Sequence, residues 1–305
     1  MLIYLCLLQE GKNSITDQVF TDTPLCLEKR KGAMAEKLRE LRDQTIDKRP
    51  KGFFDRYHHY AQTHTPWVMY EVARAILAPL MLFIYRLEGW ESQRVPRKQA
   101  VILAPSHASN MDHFLVGAPL WNMRVRFMAK SQLFVWPLNL ILKYGGAFPV
   151  HRGHRDTEVF ATARSILARN QPMVMYPTGG RDRKGTPPQA KYGIGRVALE
   201  SGALIVPVAV INSERIRNWW KIPPKIIVEF GIPIQMERIE HPTREQCQAA
   251  ADEVVVRIEQ LKARTRQELA TSGRPIRWET CLRAGAVAGV GILLARRYVV
   301  KRSKA

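Results

Sequence analysis

The sequence predicts an α/β fold, a mainly parallel or mixed sheet flanked by helices, with an N-terminal helical membrane-facing segment. Three observations carry this. Between residues 100 and 234 short apolar runs recur: AVILAP, RVRFMAK, GGAFPV, PMVMYP, ALIVPVAV and KIIVEFGIPI. Their length and composition are those of buried strands. The stretches between them, such as DTEVFATARSILARN (156–170) and AKYGIGRVALESG (190–202), space their apolar residues as helices do, and strands alternating with helices give a sheet covered on its faces. Finally, 305 residues of which 46% are hydrophobic and 24% charged can bury one large core and carry appendages.

Taken in order, residues 1–33 match nothing that follows. The start MLIYLCLLQE ends in Glu10 and has neither a basic flank nor a small-residue cleavage site, so a cleaved leader is not expected. Met34 opens the better-patterned MAEKLRELRD, and 1–33 is expected to be a flexible or non-native extension. Residues 34–95 make up the helical membrane-facing segment. A charged helical pattern runs from Lys37 to Asp47, RPKGFFDRYHHYAQTHTP then mixes aromatic with basic residues, and WVMYEVARAILAPLMLFIYRLEGWE is nearly apolar. That last run approaches the ~20 residues that cross a bilayer, yet it contains Glu71, Arg74 and Pro79. A helix pair lying in a membrane surface or against the core fits better than a clean span; a buried helical hairpin would have the same pattern.

Residues 96–240 hold the α/β core. In 241–305, TREQCQAAADEVVVRIEQLKARTRQELA follows His241-Pro242 and reads as an amphipathic helix. The tail has an uncharged apolar stretch only from Ala284 to Ala295, then Arg296, Arg297, Lys301, Arg302 and Lys304. It is too short to span, and suits attachment to an anionic leaflet. Gly285-x-x-x-Gly289 also permits helix pairing, and a flexible basic tail is the plain alternative.

Lys plus Arg number 47 against 27 acidic residues, a formal net charge of +20, which favours anionic partners. The four cysteines, Cys6, Cys26, Cys247 and Cys281, have no metal-ligand or disulfide-framework spacing. They point to a reducing compartment, so a membrane-associated protein would sit on the cytoplasmic face.

The chemistry concentrates in SHASNMDHF (106–114), directly after AVILAP. Ser109-x-x-Asp112 is a capping-box pattern, the polar start of a helix. His107 and Asp112 also form a candidate acid/base pair. Inside one helix, residues five apart lie about 140° apart and could not touch. With a strand ending at Pro105, a loop through Asn110 and a helix starting near Ser109, the carboxylate can accept the Nδ1 proton of His107 and leave Nε2 as a base. GxSxG is absent, so no covalent nucleophile is indicated, and a lone His–Asp dyad suits deprotonation of a substrate hydroxyl that attacks an activated acyl group. A metal site would draw on His107, Asp112, His113, His151 and His154, but HExxH and CxxC are absent, and no metal is expected.

Two further stretches suit anions. GGAFPVHRGHRD (145–156) places Arg152 after an apolar strand, where its planar fork can grip a phosphate. MVMYPTGGRDRKG (173–185) follows a strand with Gly179 and Gly180, whose backbone N–H groups can face an anion, and Arg181 beside them. A solvated basic turn is the plain alternative for both, and the Lys-Ser/Thr of a P-loop is missing.

These blocks, in this order over about residues 65–235, resemble the glycerolipid acyltransferases of the lysophosphatidate acyltransferase (1-acylglycerol-3-phosphate acyltransferase) family. The H-x-x-x-x-D motif of that family matches His107 and Asp112, which the resemblance makes catalytic base and orienting carboxylate. GAFPVHR matches its second motif through Gly146, Phe148 and Arg152. YPTGGR keeps Pro177, Gly179 and Arg181 of the third motif, F-P-E-G-T-R, with Thr178 in place of Glu and Gly180 in place of Thr. IVPVAV, around Pro207, matches a fourth. The resemblance implies acyl transfer from acyl-CoA or acyl-carrier protein to the hydroxyl of a lysophospholipid, first 1-acylglycerol-3-phosphate. It also implies phosphate recognition by Arg152, Gly179, Gly180 and Arg181, and no cofactor beyond the acyl donor. Thr178 leaves a glycolipid acceptor open. A non-catalytic binder of anionic membranes accounts for the charge alone, and nucleic acid is not an expected partner because it leaves the ordered motifs unexplained.

Overall fold

A computed structural model describes residues 47, 49–50, 52–150, 157–181, 188–218 and 225–271. Seven strands form one sheet: β1 (Glu88–Trp90), β2 (Val101–Pro105), β3 (Arg126–Lys130), β4 (Ala147–Val150), β5 (Met173–Val174), β6 (Leu204–Ile211) and β7 (Ile227–Phe230). Their order is β1-β7-β6-β2-β5-β3-β4. From β6 to β4 neighbouring strands are parallel, whereas β7 runs antiparallel to β6 and carries the parallel β1 with it. The sheet is therefore mixed, with its parallel part around β2.

The helices are α1 (Gly52–Thr63), α2 (Val68–Ile84), α3 (Asp112–Gly117), α4 (Leu138–Tyr144), α5 (Thr157–Ala168), α6 (Tyr192–Ser201) and α7 (Arg244–Thr271). Every residue of β2 is buried, as its unbroken apolar run requires of a strand covered on both faces. Alternate side chains take opposite sides. Ile102 and Ala104 join Ile166 of α5, Val197 of α6 and Val254 of α7. Val101 and Leu103 join Leu115 of α3 and Met81 of α2. The stretches expected as helices at 156–170, 190–202 and after His241-Pro242 supply α5, α6 and α7. One strand falls where the sequence reads as helix: β1 begins at Glu88, inside the 34–95 segment. Its three residues are too short to show a period of their own.

No single helix among the described residues is long and apolar enough to cross a bilayer. Together α1 and α2 meet that test of length and composition, but they bend by 87° at residues 64–67. The joint is fastened by arginine. Arg126 is wholly buried, and its guanidinium donates to the carbonyls of Ala61 (3.0 Å) and His64 (3.1 Å), while Arg169 donates to Ala61 at 2.6 Å. The last carbonyls of α1 lack helical donors and carry the negative end of its dipole, so cations suit them. Burial, then repulsion from Arg169, pushes Arg126 down to about 10, and it stays charged near neutrality. Beyond the joint, α2 buries only Tyr70, Met81 and Leu82. The segment is thus not a fully buried hairpin.

Packing between α6 and α7 depends on Gly195. A Cβ there would run into the backbone carbonyl of Cys247, which a flexible side chain cannot relieve. Gly195→Ala should lower unfolding stability by about 1–3 kcal/mol, the usual cost of overpacking, measured by urea unfolding; an unchanged midpoint would show that the helices separate freely.

Candidate active site

Parallel strands bring their carboxyl ends to one edge, and at a topological switch point the outgoing loops diverge to leave a crevice. Here the chain leaves β2 toward β3 on one side, while β5 leads through α6 to β6 on the other. Ser106 closes the end of β2: its N–H donates to Val208 (3.0 Å), and its Oγ accepts from the Val210 N–H (3.0 Å) and reaches the Val210 carbonyl (3.4 Å). This hydroxyl ties β2 to β6 and is engaged with backbone.

His107 follows on the loop and Asp112 opens α3. Their Nδ1 and Oδ2 are 2.9 Å apart, and the same oxygen accepts from the backbone N–H of Ala108 and of Ser109, each at 2.8 Å. Asp112 is fully buried and His107 is 7% exposed. A carboxylate holding three donors fixes Nδ1 as the protonated nitrogen and leaves Nε2 for the cavity. The expected capping box forms only in half. The carboxylate reaches back to the Ser109 N–H, but α3 starts at Asp112 with Met111 at its N-cap, and Ser109 Oγ accepts from the Met111 N–H at 3.2 Å. The chain turns more tightly than a helix from Ser109 would, and that turn lets residues five apart meet.

Tyr176 and His113 complete the surroundings of His107. Tyr176 stacks on its ring with centroids 4.0 Å apart and planes 28° apart. His113 stands edge-on to both, 5.8 Å from His107 and 4.9 Å from Tyr176. The Tyr176 hydroxyl and Asp112 Oδ1 are buried and find no hydrogen-bond partner among the described residues. Burial, and next the Asp112 charge, raises the Tyr176 phenol well above its ordinary range, so it stays protonated. Burial, and next the His107 charge, pushes His113 down to about 4, against weaker opposing effects of Asp112 and of backbone hydrogen bonds at Met128 and Asn110. Sequence reasoning passed over Tyr176. Its signal is an aromatic just past the PMVM run, since the strand made there pairs in parallel with β2 and aligns the two exits.

A cavity of about 660 Å³ opens beside the dyad. Its walls are mainly apolar: Ala73 and Leu77 of α2, Phe114 of α3, Ile141 and Leu142 of α4, and Met175, with His107, His113, Tyr176, Lys130 and Lys191 as polar members. In the turn after Tyr176, Gly179 lines the cavity with left-handed backbone (φ +64°). The Thr178 hydroxyl donates to the Gly180 carbonyl at 2.7 Å. Gly180 has open space around its Cα, and Arg181 is exposed at the far end of the turn. Arg152, His151 and His154 lie outside the described residues. Among the described residues no group of three or more His, Cys, Asp or Glu side chains is arranged to hold a metal.

The site is thus a His–Asp pair at a sheet switch point of an α/β domain, beside a mainly apolar cavity and with its neighbouring serines engaged. Residues 86–211 match the family model described as Acyltransferase. It is 25% identical over 126 residues to 1-acyl-sn-glycerol-3-phosphate acyltransferase beta of Homo sapiens, covering 40% of this chain and 45% of that protein. It is 27% identical over 127 residues to 1-acyl-sn-glycerol-3-phosphate acyltransferase of Borreliella burgdorferi, covering 40% and 50%. The chain thus spans about half the length of these relatives. The crystal structure of the 1-acyl-sn-glycerophosphate (LPA) acyltransferase of Thermotoga maritima superposes with a TM-score of 0.45 at 19% identity, over 69% of this chain and 89% of that one.

The lowered His113 value sets a pH dependence. As pH falls, the unfolded chain binds this proton near the ordinary 6.5 and the folded chain only near 4, so the group costs stability progressively through that window. Urea midpoints measured from pH 7 to pH 4.5 should fall less steeply in His113→Gln than in wild type, and the His113 imidazole should titrate near 4 by NMR. Equal slopes would show that His113 is not held neutral.

Proposed function

We propose that the protein is an O-acyltransferase that moves a fatty acyl group from acyl-CoA or acyl-carrier protein to the hydroxyl of a lysophospholipid, with 1-acylglycerol-3-phosphate as first acceptor. The observation that carries this reading is the His107–Asp112 dyad opening onto a mainly apolar cavity. His107 Nε2 takes the acceptor hydroxyl proton as its oxygen attacks the thioester carbonyl. Asp112 holds the tautomer and stabilises the imidazolium that forms. The tetrahedral intermediate collapses with cleavage of the C–S bond, the thiolate takes the proton from His107, and ester and free thiol leave. The acyl chain lies along the walls from α2 and α4. Gly179, Gly180 and Arg181 of the turn, with Arg152 assigned from its motif alone, meet the acceptor phosphate, and no cofactor takes part. Because Thr178 bonds within its own turn and offers no carboxylate, a hydroxyl lipid such as a glycolipid is the second reading. An acceptor screen with one labelled acyl-CoA separates the two.

The same elements favour an anionic membrane surface as partner, on the cytoplasmic face. Outside the cavity α2 exposes Ile76 (66%) and Phe83 (72%), and Trp136 before α4 is 81% exposed. Exposed apolar side chains on α2 and just before α4, two helices that also line the apolar cavity, fit an interface that delivers lipid. The net charge of +20 favours anionic headgroups.

His107→Ala should nearly abolish transfer and Asp112→Asn should lower kcat by roughly 10³–10⁴, both remaining folded by circular dichroism. A folded His107→Ala enzyme with near-native turnover would overturn the mechanism. Ile76→Asp with Phe83→Asp should weaken binding to anionic vesicles at least about tenfold while leaving unfolding stability nearly unchanged; undiminished binding would remove α2 from the interface.

A further inference from the structure

Among the described residues, Tyr176 lies face to face with the His107 imidazole, and the acyl-transfer reading does not use it. Its placement follows from the sheet. β2 and β5 are parallel neighbours with Ile102 opposite Met173 and Leu103 opposite Val174, so the same register carried two residues on puts Pro105 beside Tyr176, immediately before the His107 loop. The backbone around it is tied down. The Met175 N–H donates to the Leu103 carbonyl (2.9 Å), the Gly179 N–H to the Tyr176 carbonyl (3.1 Å) and the Lys191 N–H to the Pro177 carbonyl (2.7 Å). The ring therefore stands just past β5 while the imidazole stands just past β2, and their contact at 4.0 Å joins two strand exits.

Resting on the dyad reading above, we propose that Tyr176 is a positioning residue: its ring clamps the His107 imidazole plane against Asp112 and stabilises the imidazolium formed when the acceptor proton arrives. Asp112 restrains the imidazole only at Nδ1, which leaves rotation about that hydrogen bond. A stacked face removes this freedom. The negative face of an aromatic ring also attracts a cation, the more strongly where water is excluded. His113 presents its edge to both rings and is neutral near pH 7, so it adds no opposing charge. The titratable groups around His107 are thus Asp112 and His113 from α3 and Tyr176 after β5, with Tyr70 and Arg74 from α2, Lys130 from β3 and Lys191 before α6 lining the same cavity. These lining groups are present in every variant below, so differences between variants report position 176.

The test separates ring from hydroxyl and ring from volume. Tyr176→Phe keeps the stack and should hold kcat within about threefold. Pentafluorophenylalanine at 176 keeps the shape but reverses the ring's electrostatic face. It should lower kcat roughly tenfold, with acceptor KM little changed. Tyr176→Leu should lose the clamp as well and fall further, by roughly 100-fold in kcat. If Phe loses as much as Leu, the hydroxyl is responsible and the ring assignment is wrong. If the fluorinated variant matches Phe in kcat, the ring is only a wall. Should Leu fail to fold, the fluorinated pair still decides. Turnover surviving His107→Ala would remove the dyad reading itself, whereas an inert ring beside an essential His107 sinks only the clamp.

Discussion

One oxygen atom organises this protein. Asp112 Oδ2 accepts from His107 Nδ1 and from the N–H groups of Ala108 and Ser109, so one carboxylate shapes the loop and sets the tautomer together. In a fully buried site these bonds are stronger than in water, and losing one of the donors would cost more. The loop can be this tight because both its ends are anchored, at Ser106 by β6 and at α3 by Leu115 and Val116 in the core. Chemistry and packing therefore share a constraint: the groups that hold the imidazole are those that turn the chain from strand to helix.

That constraint was legible in the sequence, because a histidine and an aspartate five apart make sense only where a strand gives way to a helix. The central strands were legible too, since β2 and β6 are apolar without interruption and the sheet buries both their faces. One edge of the sheet was not. β1 hides at the end of a run whose composition is helical, and only its parallel pairing with β7 makes it a strand. Nor could spacing reveal that Tyr176 meets His107, a contact between residues 69 positions apart that depends on which strand β5 pairs with. The arginines divide in the same way. Arg181 was visible in its motif, but Arg126 reads as part of an ordinary basic strand while the fold buries it completely.

The buried Arg126 shows how the helical segment is held. Its partners are carbonyls at the end of α1 and not a carboxylate, so it fixes an orientation through geometry and a helix dipole without an ion pair. Arg169 reaches the same Ala61 carbonyl from the turn after α5. Two cations close together would repel, and the aligned carbonyls offset this. The bend between α1 and α2 is thereby referenced to β3 and α5, elements that also border the site.

On the acyl-transfer reading proposed above, lipid is a structural component of the cavity as well as a cargo. Its walls draw on α2 and α4 as well as on the strand exits, so an alkyl chain lying within would touch helix and sheet at once and supply dispersion contacts that neither makes to the other. Anything that binds only the folded state stabilises it in proportion to its supply. On that reading cohesion of α2 with the sheet is tied to the lipid available, and any long-chain amphiphile of suitable girth, a detergent included, competes for the role of mortar between them.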